Sequence, residues 1–395
     1  MPSSVVAIPG LRGTGQFDTD HRPTNYRQGY TLLEPNGDAP LNALLAMGAE
    51  ESTDDPKYNN FRDELPDRLM TVNGAIADTS TGAITIDAGD ENGFAVSGSL
   101  VMNLDTGEIM HATADTSGTS LTVTRNIGGT THTIADGATL AVVGHAAKEN
   151  ADVGTPISFD AVVAYNLTQI FRTPFGLSGT MDKTYLRTGD KYSESMEKAL
   201  KLHMSDIERA MFFGKKHIAN ASTAEPTRYT GGVTNEITGV TDAASGFASA
   251  NTITEDEFDQ LLMDTVFAYG NKTKLAFVGP TVAGHFQKFG KNRWSPSQVS
   301  GSYGVNFTRY ETFAGDLLVH LHPQFRVLPN MVNAAVILDF DFLKYRYLEG
   351  RDTQLLENRQ GNGVDGKIDE YLTECGLELL QDKVHHYIKG WTSSS

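Results

Sequence analysis

The spacing of apolar and polar positions changes several times along the chain of 395 residues, and each spacing predicts a different kind of element. The longest helical pattern covers residues 190–213, where apolar side chains recur at alternating intervals of three and four residues and form one face. The opposite face carries two Glu–Lys pairs at the favourable spacing of four residues: Glu194 with Lys198, and Glu197 with Lys201. Gly214 supplies the predicted end, so we expect a long helix of about 36 Å.

Residues 250–335 alternate between helical and extended patterns. Thr254 and Glu257 have the spacing of a capping box, which predicts a helix whose apolar face continues as far as Gly270. Pro280 predicts the first turn of a second, shorter helix. Strands are predicted at residues 274–278, 307–310, 317–321 and 335–338, and again at 371–379 and 384–388. Helices and strands mixed in this way predict an α+β fold.

Residues 71–150 differ from the rest of the chain because glycine, threonine, serine and aspartate separate many short apolar pieces. Five strand-like pieces recur between turn signals, at residues 83–86, 99–103, 108–112, 121–125 and 139–143. Nine acidic residues stand against Arg125 and Lys148, which gives this segment a net charge of −7. We therefore predict an acidic, all-β inserted domain, a small barrel or sandwich, over residues 75–148.

The first 60 residues lack a sustained period, apart from one short helical candidate at residues 41–47 that Gly48 ends. A segment of this length without its own core is either disordered or laid across a partner. Four larger side chains favour the second possibility: Tyr26, Tyr30, Leu32 and Leu33. Residues 161–172 and 176–180 are predicted to be extended, with Pro174 between them marking a sheet edge or a bend.

Charge and cysteine content narrow the classes of function. The formal charge of −17 gives a net field that does not attract phosphate backbones, which disfavours a free DNA-binding role. We find no targeting pattern and no apolar stretch near the ~20 residues of a membrane span, so we expect an aqueous compartment and no membrane partner. The single cysteine, Cys375, allows no intrachain disulfide. The alternation in residues 371–379 places its thiol on the buried face of a strand, where it is inert.

Two pairs of residues have the spacing of a chemical site. His320 and His322 would present two imidazoles on one strand face, a possible metal pair for which the spacing places no third ligand. Asp339 and Asp341 would share a strand face, as the carboxylates of a glycosidase might.

Three further motifs lack the spacing that their chemistry needs. The glycine cluster at residues 10–15 does not match a phosphate-binding loop, and residues 362–370 do not place acidic groups at calcium-loop offsets. His385 and His386 point to opposite faces of a strand and cannot chelate together. We therefore predict no catalytic, cofactor-binding or metal-binding residues, no cofactor, and no enzymatic activity, and leave open whether the pair His320 and His322 binds a metal.

Several segments, taken in order, resemble the major capsid proteins of tailed bacteriophages. The resembling segments are residues 121–125 with 128–130, residues 166–172, 177–180 and 187–189, the helix from Asp190, and residues 371–378. The resemblance covers about residues 55–390, and the order of the motifs is more specific than any one of them. It implies the common tailed-phage capsid fold, in which subunits form hexamers and pentamers of an icosahedral head that encloses double-stranded DNA.

The resemblance also implies a division of the chain. It makes residues 1–60 an N-terminal arm, residues 61–74 and 151–187 an extended loop, residues 75–148 the inserted domain, residues 188–249 and 336–395 a peripheral domain with spine helix 190–213, and residues 250–335 an axial domain. It implies a place in the virion after assembly in the host bacterial cytoplasm. The implied partners are copies of itself, a separate scaffolding protein, a portal and a decoration protein, with DNA only as enclosed cargo.

Two alternatives stay open at this point. A cargo-enclosing bacterial shell protein of the same fold would assemble without portal or DNA. A β-rich binding or adhesion protein would account for residues 75–148 alone. Imaging of purified particles separates the two shell-forming functions, phage head and cargo shell, from the binding or adhesion protein.

Overall fold

The structure is a computed structural model that describes residues 39–65, 67–89, 94–129, 131–150, 154–185, 189–293, 298–299 and 307–394. Phe61–Ala164 form one compact unit, and the described residues before and after them form another. None of the described helices is long and apolar enough to cross a membrane. The predicted class, α+β with an all-β insertion, is confirmed.

The helices and strands of the described residues are as follows. The helices are α1 Pro40–Gly48, α2 Gly179–Lys183, α3 Lys191–Phe213, α4 Val233–Glu236, α5 Glu255–Leu261 and α6 Pro280–Arg293. The strands of the first part are β1 Glu50–Thr53, β2 Lys57–Arg62, β3 Leu69–Thr71, β4 Ala83–Thr85, β5 Ser99–Asn103, β6 Ile109–Ala112, β7 Ser120–Ile127, β8 Thr139–His145, β9 Val162–Leu167 and β10 Gln169–Ser178. The later strands are β11 His217–Ala219, β12 Thr227–Tyr229, β13 Val240–Asp242, β14 Thr273–Val278, β15 Gln298–Val299, β16 Phe307–Glu311, β17 Asp316–Leu321, β18 Ala335–Leu338, β19 Leu343–Leu348, β20 Gln354–Leu356, β21 Gly366–Leu379 and β22 His386–Lys389.

Helix α3 is the long helix that the spacing predicts. Asp190 caps its first turn, because its carboxylate accepts the backbone N–H groups of Tyr192 and Ser193. Its buried face consists of Ala199, His203, Ile207, Glu208, Met211 and Phe212. The helix ends at Gly214 without a left-handed residue, since φ there is −53°. Glycine is needed because a Cβ at this position would lie 2.4 Å from the Thr230 carbonyl oxygen.

A seven-stranded sheet, with strand order β13-β22-β18-β14-β17-β16-β15, is buried on both faces. Val336 of β18 packs in one apolar cluster with α1 and α3, whereas Ile337 packs in a second cluster with α5 and α6. Burial on both faces explains why residues 335–338 read as a continuous apolar run and not as an alternation. The sheet includes β13 and β22, which lie outside the predicted axial range of residues 250–335.

Helix α5 begins at the predicted capping box. The Thr254 hydroxyl accepts the Glu257 backbone N–H at 3.2 Å, and the Glu257 carboxylate accepts the Thr254 N–H at 2.9 Å. Its continuation differs from the prediction, because a π-helical turn at Leu262–Val266 replaces the regular helix before Gly270. Gly270 has a φ of +81°, and a Cβ there would meet Asp339 Oδ2 at 2.6 Å.

A second sheet of the larger unit has the order β1-β19-β21-β10, with β20 also paired to β21. Strand β10 is the edge strand and contains Pro174, as the sequence predicts. Strand β1 pairs in parallel with β19, and Leu41 and Leu45 of α1 are buried in the core. Residues 39–60 therefore have core contacts, unlike the coreless arm predicted for residues 1–60. Residues 1–38, with the glycine cluster at 10–15, lie outside the described residues.

The unit Phe61–Ala164 contains a closed β-barrel with strand order β3-β8-β5-β6-β7-β4. A bridge between Val72 and Ile86 closes it, and the Asn73 N–H donates to the Thr85 carbonyl at 2.9 Å. The fully or nearly fully buried interior side chains are Met70, Val72, Ile84, Ile86, Ala95, Val101, Met110, Leu121, Val123, Ile134, Ala138 and Leu140. Because β3 supplies one wall, the barrel starts before the predicted range of residues 75–148.

Candidate functional site

The histidine pair predicted near the end of a strand is not arranged for metal binding. His322 follows β17, and its Nε2 lies 2.9 Å from Glu208 Oε1. The backbone N–H of Gln324 donates to His322 Nδ1, so Nε2 carries the proton and donates to the carboxylate. The Leu41 N–H donates to the same Glu208 oxygen at 2.9 Å. Glu208 of α3 therefore joins His322 to the start of α1, and His320 packs against Phe277 and Phe307.

The two aspartates predicted to share a strand face do not lie on a strand. Strand β18 ends at Leu338, and Asp339 caps a short 3-10 turn by accepting the Asp341 backbone N–H at 3.3 Å. The side-chain amide of Asn271 donates to Asp339 at 3.1 Å and to Asp341 at 2.6 Å. Their carboxylates thus hold the loop after Gly270 in place. The strand interpretation was wrong because a capping aspartate follows an apolar run just as a strand residue would.

The other singled-out groups are also held by structural contacts. The Asp339 N–H donates to His385 Nδ1 at 3.1 Å, and Thr241 Oγ1 lies 2.7 Å from His386 Nε2. Burial lowers the pKa of His386 to about 4. Burial raises the pKa of the Cys375 thiol to about 12, so it is a neutral core side chain. In the described part of the chain, no group of three or more His, Cys, Asp or Glu residues could hold a metal ion.

Strand β21 carries a row of buried carboxylates on the face opposite Cys375. The side chains of Glu370, Glu374 and Glu378 are each 5% exposed or less. Their arginine partners lie at 2.5 to 3.0 Å and are Arg172 and Arg359 for Glu370, Arg351 for Glu374 and Arg346 for Glu378. The predicted alternation leaves the even-numbered face of this strand exposed to solvent. In the structure residues 369–379 are buried on both faces. The pairing with arginines from other segments offsets the cost of burying these carboxylates.

The pairing of Glu370 with two arginines predicts a loss of stability in acid. Burial alone would raise the pKa of Glu370, but Arg172 and Arg359 hold it below the ordinary value of 4.5. Because the folded pKa is depressed, the stabilisation is present above pH 4.5 and is lost as the pH falls through the folded value. We expect the melting temperature to drop steeply below that pH.

A double variant, Arg172→Met with Arg359→Met, tests this assignment. It should be less stable at neutral pH, because Glu370 is then buried without a partner. It should also lose less additional stability in acid than the unmodified chain. Lys201→Met, which removes an exposed pair with Glu197, should leave the acid profile unchanged. Identical profiles for all three chains would contradict the assignment.

Exposed apolar side chains concentrate in the smaller unit beside β2 and β9. Phe61, Leu65, Val162 and Val163 are each more than half exposed. A soluble monomer tolerates single exposed apolar side chains, but a cluster of them marks a surface that a partner covers. We call these four residues the exposed apolar strip. In the larger unit, β10 is an edge strand with one side available for pairing with another chain, and its Ile170 is half exposed.

A family model and a relative each match most of the chain. A family model described as SU10 major capsid protein matches residues 13–392. A major capsid protein of Pseudomonas phage PaMx41 is 27% identical over 376 residues, which is 88% of this chain and 87% of that protein.

Three solved structures are similar to this chain at low sequence identity. The capsid of a native GTA particle is 8% identical to this chain with a TM-score of 0.43. The match covers 93% of this chain and 94% of the capsid chain. A structure of Mycobacterium phage Ogopogo is 10% identical to this chain with a TM-score of 0.43. The match covers 98% of this chain and 100% of the phage chain. The holo-SrpI encapsulin complex from Synechococcus elongatus is 14% identical with a TM-score of 0.42, and covers 58% and 77%.

Proposed function

We propose, from the premise that the chain belongs to the SU10 major capsid protein family, that its copies form hexamers and pentamers of an icosahedral head around double-stranded DNA. Family membership makes the chain a structural subunit of a phage capsid, present in the virion and assembled from copies of itself. The observation that carries the finer proposal is the exposed apolar strip. A subunit that is surrounded by copies of itself has a partner for such a surface, whereas a free monomeric enzyme would leave it exposed to water.

The proposed division of labour follows the family resemblance. Residues 61–74 and 151–187 would be the extended loop, which contains the exposed apolar strip. Residues 188–249 and 336–395 would be the peripheral domain with α3 as its spine, and residues 250–335 the axial domain. Residues 1–60 would be the arm, whose described part, residues 39–60, is anchored in the core of the larger unit by α1 and β1. The barrel, which begins at β3, would be the inserted domain. The length of α3, which has 23 residues, and the acidic charge of the barrel support these assignments.

The proposal extends to the partners and the place of assembly. A separate scaffolding protein, a portal and a decoration protein would act with the chain, and assembly would take place in the host bacterial cytoplasm. The barrel segment, with its net charge of −7 over residues 71–150, would face away from packaged DNA because like charges repel. We assign the chain no catalytic, cofactor-binding or metal-binding residues and no enzymatic activity.

Negative-stain imaging and sedimentation of the purified chain test this proposal. We expect capsomers or closed shells from the unmodified chain, alone or with a scaffold partner. Phe61→Asp with Val162→Asp should leave the subunit folded, because both side chains are exposed, and should prevent assembly by charging the exposed apolar strip.

Val143→Asp is the matched control. Val143 is also about half exposed in the same unit, but it lies on barrel strand β8. This variant should assemble normally. A chain that stays monomeric at high concentration, with and without a scaffold, would overturn the proposed function. A double variant that assembles as well as the control would overturn the role of the strip.

A further inference from the structure

The loop between β20 and β21 contains an asparagine followed by a glycine, a pair that can modify itself without an enzyme. These residues, Asn362 and Gly363, belong to the segment that does not match a calcium loop. In such a pair the backbone nitrogen of the glycine attacks the side-chain amide of the asparagine, and ammonia leaves. Glycine favours this attack because it has no Cβ to crowd its nitrogen, and its backbone adopts many conformations. What surrounds the pair in the fold decides whether the attack takes place.

The chain has four Asn–Gly pairs, and the structure describes two of them. The pairs at residues 36–37 and 92–93 lie outside the described residues, and the pairs at 73–74 and 362–363 lie within them. Asn73 and Asn362 are both exposed, so water and hydroxide reach both side chains. Exposure therefore does not distinguish the two asparagines. The hydrogen bonds of the two glycine N–H groups do.

Gly363 lies in a tight turn that leaves its N–H open to solvent. The Val364 N–H closes the turn by donating to the Gly361 carbonyl at 3.2 Å. Gly363 is the third residue of this turn and has a φ of +87°, which is the type II arrangement. Only the N–H of the fourth residue takes part in the closing hydrogen bond of such a turn. Among the residues that the structure describes, none accepts the Gly363 N–H, and none would lie within 4 Å of a Cβ there.

The hairpin below this turn is fixed by hydrogen bonds on both of its sides. The Arg359 N–H donates to the Ile368 carbonyl at 2.7 Å. The Ile368 N–H in turn donates to the side-chain oxygen of Gln360 at 3.1 Å. A change in the main chain at Asn362 is therefore confined to the exposed tip of the hairpin. We expect such a change to leave the melting temperature of the subunit almost unaltered.

The pair at residues 73–74 has the opposite surroundings. The Gly74 N–H donates to Asp136 Oδ1 at 2.7 Å. The Asn73 N–H donates to the Thr85 carbonyl at 2.9 Å, where the barrel closes. Before the Gly74 nitrogen can attack, it must give up a hydrogen bond to a charged group, and the barrel must open locally. The fold therefore protects Asn73.

We propose that Asn362 is a site of spontaneous modification, at which the asparagine becomes aspartate and isoaspartate while Asn73 stays intact. Hydroxide takes the proton of the Gly363 N–H, and the nitrogen forms a bond to Asn362 Cγ. The bond from Cγ to the amide nitrogen breaks, and ammonia leaves. Water then opens the five-membered succinimide ring at either of its carbonyls. The net reaction consumes one water, releases one ammonia and adds one negative charge to the tip.

This proposal is independent of the proposed function, because it concerns the chemistry of the single subunit. It implies that subunits of one preparation come to differ in charge at the hairpin tip. In the isoaspartate product the main chain also passes through the former side chain, which lengthens the tip by one carbon atom. Val364, the next residue after the pair, is about half exposed, so the altered tip is presented to solvent.

Peptide mass spectrometry of the folded full chain tests the proposal. The chain is incubated at neutral and at mildly alkaline pH, and the conversion of each asparagine is followed with time. Conversion at Asn362 should be at least about tenfold faster than at Asn73, because Gly74 must first lose its hydrogen bond to a carboxylate. The rate at Asn362 should rise in proportion to hydroxide, and isoaspartate should appear together with aspartate.

Three controls isolate the effect of the fold. In denaturant, Asn73 and Asn362 should convert at similar rates, because neither glycine N–H is then protected. Asp136→Ala frees the Gly74 N–H and should raise the rate at Asn73 in the folded chain without changing the rate at Asn362. Asn362→Ser removes the amide, and should abolish the modification at this position while the melting temperature stays the same.

Three results would overturn the proposal. The first is an Asn362 that stays intact in the folded chain and converts only in denaturant, since the turn would then protect it. The second is equal conversion of Asn362 and Asn73 in the folded chain, because the hydrogen bond to Asp136 would then give no protection. The third is aspartate without isoaspartate at residue 362, which indicates direct hydrolysis of the side chain without attack by the Gly363 nitrogen.

Discussion

Ile207→Asp is expected to prevent the larger unit from folding. Ile207 is 0% exposed on α3 and lies in the apolar cluster that joins α1, α3 and both sheets of this unit. A carboxylate at this position would be removed from water without an oppositely charged partner, which lowers the free energy of unfolding by several kcal/mol. Because a domain is stable by only ~5–15 kcal/mol, we expect insoluble or unfolded protein. Soluble yield and far-ultraviolet circular dichroism measure the effect.

The same helix offers the control for this prediction. Leu202 is 62% exposed on α3, five residues before Ile207. Leu202→Asp introduces the same charge into the same helix, and should change the free energy of unfolding by no more than ~0.5 kcal/mol. If both variants lower stability equally, the charge acts through the helix itself, and our assignment of its buried face is wrong.

Arg125→Met is expected to destabilise the barrel by ~3–5 kcal/mol, the cost of leaving one partner of a buried ion pair alone. The Arg125 guanidinium donates to Glu108 at 2.9 and 2.6 Å and to the Asp78 carbonyl at 3.0 Å. Burial alone would raise the pKa of Glu108, but Arg125 and the His132 backbone N–H hold it below its ordinary value. Without Arg125 the buried carboxylate must take up a proton or draw water into the barrel.

Hydrogen exchange in the full chain locates this loss. Amides of β5 to β8 should exchange faster in Arg125→Met, while those of α3 keep their protection, because the pair lies within Phe61–Ala164. Adding Glu108→Leu removes the orphaned charge and should restore part of the stability. A double variant that is less stable than Arg125→Met would show that Glu108 stabilises the barrel through other contacts.

Local patterns predicted the elements because each depends on a few neighbouring residues. The spacing of apolar residues located α3, the Thr254 and Glu257 capping box located α5, and Pro174 indicated a sheet edge. The turn-separated strands of the barrel were predicted for the same reason. The sequence did not decide between a closed barrel and a sandwich. The barrel is closed by the bridge between Val72 and Ile86, and neither segment has a sequence pattern that predicts their pairing.

The family was also within reach of the sequence, since the order of several weak motifs resembled tailed-phage capsid proteins before any fold was known. The two spacings that suggested a site, at His320 with His322 and at Asp339 with Asp341, are each used by the fold to hold chain segments together.

What the sequence determined by itself was therefore the class of the protein, its long helix, its all-β insertion and its acidic character. The tertiary structure alone decided which polar groups are buried. Glu370, Glu374 and Glu378 look like the solvent face of strand β21, and arginines from other segments are what make their burial possible. The reason is physical, because a buried charge is stabilised by partners that are close in space and distant along the chain.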